Sequence, residues 1–96
     1  MVVEFSDEIW YWRGPAPFFF VTVPLKESRE IKAIESQVTY GWGMIPVNAR
    51  IGKTEWYTAL WAKDGQYVLP LKTVIRKAEG LEEGDTVSAR IEIIYS

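Results

Sequence analysis

Tyr67 to Ile93 reads YVLPLKTVIRKAEGLEEGDTVSARIEI, and its changes of pattern decide the fold. Tyr67-Val68-Leu69-Pro70 is an apolar run closed by a proline, which predicts a strand ending at Pro70 because proline cannot donate to a ladder. Leu71, Val74, Ile75 and Ala78 then recur at helical spacing, and Gly80 stands where a helix end favours positive φ. A two-turn helix is expected there. Leu81-Glu82-Glu83-Gly84-Asp85 supplies a turn, after which Val87, Ala89, Ile91 and Ile93 alternate with Ser88, Arg90 and Glu92 as in a strand with one wet face.

The same period of two extends through the middle of the chain. Val47, Ala49 and Ile51 share one face of a strand over 45–51, with Asn48 and Arg50 on the other. Gly52-Lys53 fits a tight reversal into a return strand over 54–61, and Lys63-Asp64-Gly65 a second reversal into Tyr67. Towards the N-terminus, Val3 to Trp12 is β-branched and aromatic, and its imperfect alternation predicts a bulge near Asp7. Arg13-Gly14-Pro15-Ala16-Pro17 breaks that strand. Phe18 to Val23 is apolar on both faces, as in a central strand or one packed under a helix. Between Pro24 and Gly41 the period lengthens: Ile31, Ile34 and Val38 predict a helix over about 28–37, with Ser28 as N-cap.

Six or seven strands and two short helices result, with no βαβ spacing. The expected class is mainly β: a small, capped, antiparallel or mixed barrel. Ninety-six residues, with no linker or repeat, suit a single domain over 1–96.

Composition excludes several chemistries. Cysteine and histidine are both absent, so thiolate nucleophiles, cysteine- or histidine-ligated metals and Ser-His-Asp arrangements have no residues to use. No catalytic set, metal or cofactor is expected. The carboxylate clusters Asp7-Glu8 and Glu82-Glu83-Asp85 lack the ligand spacing of a calcium loop. A net charge of −2 with interspersed signs disfavours nucleic acid as a partner. No apolar run reaches membrane-span length and the start lacks a signal-peptide pattern, from which a cytoplasmic location is expected.

Trp10 and Trp12, Phe20-Val21-Thr22-Val23-Pro24, Trp42-Gly43-Met44-Ile45-Pro46-Val47, Trp56-Tyr57-Thr58-Ala59-Leu60, Lys63-Asp64-Gly65, Leu69-Pro70-Leu71-Lys72, Arg76-Lys77-Ala78 and Gly84-Asp85 together resemble the DUF1905 family over nearly the whole chain. The resemblance implies a small double-split β-barrel capped by helices and brings no established activity. Leu69 to Val87 alone also resembles the core element of AbrB/MazE-type double-split barrels. That likeness implies barrel geometry without DNA binding.

Five residues are candidates for a ligand site. Lys72 and Arg76, four apart on the expected helix, suit a phosphate or carboxylate, although Glu79 and Glu82 stand close enough to pair with them locally. Trp42, between two glycines, offers a stacking surface; Arg50 and Trp56 suit the wall of a groove. Trp10, Trp12, Tyr57 and Trp61 are further aromatics for a pocket at a barrel mouth. The expected function is a non-catalytic binding module for a small ligand or a protein. A nucleic-acid-binding barrel and a hydrolase-like enzyme using carboxylates or tyrosine are the alternatives. Monomer and homodimer both remain open, the latter through an exposed edge strand or an apolar patch.

Overall fold

The computed structural model describes residues 1–38 and 43–95. Its strands are β1 (Val2–Trp12), β2 (Phe18–Thr22), β3 (Ile45–Ile51), β4 (Thr54–Lys63), β5 (Gln66–Leu71) and β6 (Thr86–Ile93). They close into an antiparallel barrel in the order β1-β2-β5-β4-β3-β6. The helices are α1 (Leu25–Ala33), α2 (Glu35–Val38) and α3 (Thr73–Glu79), three rather than two.

Two long strands allow the closure. β1 pairs with β6 from Val2 to Glu8 and then with β2 from Ile9 to Trp12. Likewise β4 pairs with β3 from Thr54 to Leu60 and with β5 from Trp61 to Lys63. The barrel thus has two halves, one of β6 and β3 and one of β2 and β5, joined through β1 and β4. Side chains alternate across the wall, so Val3, Phe5, Ile9, Val47, Ala49, Leu69, Leu71, Ala89 and Ile91 fill the interior, all buried.

No bulge interrupts β1 near Asp7, which stands opposite Val87 in unbroken register. The alternation falters because Asp7 takes an inward position near the barrel rim, where its Oδ1 accepts the Glu8 N–H at 2.8 Å. Pro70 does not end its strand either. In the β2–β5 ladder the Val23 N–H donates to the Tyr67 carbonyl, so the Phe20–Pro70 pair falls at a position that needs no amide from Pro70. On its other side, pairing with β4 has already stopped at Trp61–Val68.

The first helix begins at Leu25, three residues before the expected cap. Ser28 lies inside it and is buried: its Oγ donates to the Val23 carbonyl at 2.9 Å and accepts the Tyr67 N–H at 3.0 Å, which fastens α1 to β5. At Ile34 the chain tightens, its N–H turning to the Ile31 carbonyl, and α2 follows. The expected stripe survives this break, with Ile31 and Val38 fully buried. α1 and α2 cover the barrel end where β3 and β5 begin, and α3 the opposite end. Gly80 (φ 63°) closes α3 as anticipated: Leu81 N–H reaches the Arg76 carbonyl at 2.8 Å and Leu81 packs on the core. From α3, Glu79 accepts the Thr54 hydroxyl at 2.5 Å and the Lys53 N–H at 3.3 Å, pinning the β3–β4 hairpin. Among the described residues, none of the helices is long and apolar enough to cross a membrane.

Candidate functional site

The outer surface of the barrel changes character where β1 passes from β6 to β2. On the β6–β3 half the outward positions are mostly polar, among them Glu4, Ser6, Ser88, Arg90, Glu92, Asn48, Arg50 and Glu55, with Val2, Pro46, Tyr57 and Ala59 as apolar or aromatic exceptions. On the β2–β5 half they are mostly apolar, Trp10, Trp12, Phe18, Phe20, Val68, Pro70 and Trp61, beside the polar Thr22, Lys63 and Gln66. Apolar side chains there point away from the core.

Phe20 is the floor of this aromatic wall and only 2% exposed, although it faces outward. Three rings cover it: Trp10 at 5.3 Å, Trp61 at 5.5 Å and Phe18 at 5.8 Å between centroids, all tilted. Trp10 is held in place by its Nε1–H, which donates to the Thr22 hydroxyl at 2.9 Å. Phe18 to Val23 therefore needs no helix over its outer face, contrary to one of the two expectations for a strand apolar on both sides. The rings themselves shield it.

Trp61 stands as a ridge, 40% exposed, with a furrow on each side. The wider one, about 380 Å³, runs between Phe18, Tyr57, Ala59, Trp61, Pro70 and Lys72, with Met44 at its edge. The narrower, about 210 Å³, lies against Trp12, Phe20, Val68 and Lys63. Lys63 sits 5.8 Å from the Trp12 ring centroid and 3.5 Å from the Asp64 carboxylate. Lys72 makes no ion pair among the described residues.

The five candidates from the sequence go to separate places. Trp42 lies outside the described residues. Arg50 and Trp56 both border a furrow of about 390 Å³ with Asn48, Tyr57, Arg90 and Glu92, but the ladder puts their side chains on opposite faces of the wall. Within it Arg50 stands opposite Arg90 on one side and Glu55 on the other. Trp56 occupies an inward position and packs half-buried on the core, its Nε1 without a hydrogen-bond partner among the described residues. Lys72 precedes α3 rather than belonging to it and opens onto the wider aromatic furrow. Arg76 is half-buried, its guanidinium 3.7 Å from the Phe19 ring centroid, with Tyr11 4.6 Å from Phe19. Among the described residues the local pairing of Arg76 with Glu79 is not formed, since that carboxylate serves the hairpin instead.

Of the further aromatics, Trp12, Tyr57 and Trp61 do line furrows of the aromatic wall, while Trp10 supports its floor. Phe18, Phe20, Met44 and Pro70 were not anticipated there. The available signal was the two-faced apolar character of 18–23, which matches the outward Trp61 of β4, beyond β5, only once the register is known.

The perturbed ionisable groups belong to the helical cap and not to this wall. The Lys32 ammonium, 2.6 Å from the Glu35 carboxylate, is the main cause that lowers the Glu35 pKa, with the Tyr67 hydroxyl adding to it against partial desolvation. Burial, reinforced by the hydrogen bond to Glu35 at 3.1 Å, pushes the Tyr67 phenol up to about 12.

A family model described as a domain of unknown function, DUF1905, matches residues 5–91. None of the curated proteins matches the chain.

Proposed function

Because the chain belongs to the DUF1905 family, a domain of unknown function, we propose a function from its geometry: a non-catalytic binding module that works through the aromatic wall around Trp61. The observation that carries this reading is Trp61 itself. A large indole left 40% exposed between two concave apolar furrows retains a sizeable transfer free energy for whatever covers it. Its neighbours are positioned by backbone ladders and ring packing, so the surface is formed before a ligand arrives, which limits the ordering cost of binding. A nucleic-acid reading asks for a contiguous basic face. Arg50 and Arg90 are each set opposite a glutamate, Glu55 and Glu4, which favours the apolar reading.

Titration of the isotope-labelled chain with 2-naphthylmethanol, followed by amide and indole chemical shifts, tests it. Saturable movement centred on the Trp61 indole, Ala59 and Val68, with Arg50 and Arg90 unmoved, is the expected map. No saturable shift, or one centred on the Arg50 furrow, would place the binding surface elsewhere or remove it.

A further inference from the structure

We infer that the wider furrow takes a flat apolar ligand carrying an anionic group, with the ring laid between Trp61 and Phe18 and the charge met by Lys72. This deepens the proposed function and rests on it. The lining decides the ligand's body: Phe18, Ala59, Trp61 and Pro70 offer rings and aliphatic carbon, and about 380 Å³ accommodates one or two fused rings.

The lining also decides the ligand's sign. Lys72 is the one charged side chain among the described residues that line this furrow. Its backbone is fixed, since the Lys72 carbonyl accepts the Ile75 and Arg76 N–H groups at 3.0 and 3.1 Å. Its ammonium has no carboxylate partner among the described residues, unlike Lys63 beside the narrower furrow, which lies 3.5 Å from Asp64. The furrows around Arg50 are less suited to the same ligand, because Glu4 or Glu55 and Glu92 share their walls and would repel an anion. Charge and shape therefore coincide at one place on the barrel.

Three probes and two variants separate the claims: 2-naphthoate, its uncharged counterpart 2-naphthylmethanol, and acetate, read by chemical shifts on the wild-type chain, on Lys72→Met and on the control Lys26→Met at the opposite end. 2-Naphthoate is expected to bind about fivefold more tightly than the alcohol, the advantage an exposed ion pair can confer. Lys72→Met should lose that advantage while keeping the alcohol's affinity; Lys26→Met should keep both, and acetate alone should not saturate. Equal affinities for the two ring probes, or an unchanged preference in Lys72→Met, overturn the anion assignment and leave the aromatic wall standing. Failure of both ring probes at the wall overturns the proposed function as well. If dilution of the probe-free protein moves the Trp61 and Ala59 signals and its sedimentation falls towards monomer, the furrow is filled by a second copy of the chain and the small-ligand assignment is wrong.

Discussion

The β6–β3 wall and the β2–β5 wall face the same solvent from one closed barrel, yet the first puts glutamates, arginines and serines outward and the second puts tryptophans and phenylalanines there. Their inner faces are alike in being apolar, lined mainly by valine, leucine, isoleucine and alanine with Phe5, Phe19 and Tyr67 among them. Pairing geometry and interior volume do not require the difference, because a polar outer face closes a barrel equally well. The contrast instead separates two kinds of apolar side chain: those that hold the fold from inside and those that make a second, shallower cluster outside it.

The sharpest way to break the comparison is Phe20→Ala. If the outer cluster is as well packed as a core, this outward residue should cost about 3–5 kcal/mol in denaturant unfolding, the range of a buried ring. A cost of a few tenths would reduce the aromatic wall to decoration. Alkaline pH offers a reference outside the aromatic cluster, at an inward position of β5 beneath the helical cap. Tyr67 is raised to about 12 in the folded chain from 10.0, so the folded state holds its proton longer than the unfolded chain does. Its contribution is intact below pH 10 and is lost as the pH rises towards 12; the unfolding midpoint should fall over that window, and less so in Tyr67→Phe.

Trp10→Phe probes the wall more gently. It removes the bond to Thr22 and part of the cover over Phe20, and should cost about 1–2 kcal/mol by the same unfolding measurement. The smallest effect belongs to the polar wall. Arg50→Thr should leave stability within about 0.5 kcal/mol of wild type, as usual for an exposed position, because the guanidinium faces Arg90 as well as Glu55. A loss above 2 kcal/mol there would show the two walls to be energetically alike.

How much of this could be read from the chain follows from the same contrast. β3 and β6 were legible because one of their faces is wet: Asn48, Arg50, Ser88 and Glu92 mark the outside and so identify the inside. Gly80, Gly84 and Asp64-Gly65 were legible because each needs a positive φ that glycine or aspartate supplies locally. β2 was legible as a strand only. With Phe19 and Phe20 equally apolar, no local rule says which ring points inward, and the answer depends on Tyr11, Leu71 and Trp61 arriving from three other strands.

Ser28 and Pro70 misled for a related reason. A serine before an apolar stripe has the chemistry of a cap, and a proline after an apolar run that of a stop. Ser28 is occupied instead by the Val23 carbonyl just past β2 and the Tyr67 amide of β5, and Pro70 is tolerated because the ladder beside it has ended. Both outcomes are set by partners distant in the chain. The candidate site was less legible than the fold for this reason: Lys72 and Trp61 reach one furrow only through the register of β4 with β5.

The packing around Phe20 has an optical consequence. Of the four tryptophans in the described residues, Trp10, Trp12 and Trp61 are on the aromatic wall, and Trp56 alone takes an inward position. Among the described residues, intrinsic fluorescence is therefore weighted towards the surface on which binding is proposed, with Trp56 as an internal reference in the opposite half. The protein carries its own dye where one would have been attached, and a Trp56→Phe chain would report from that wall with less background.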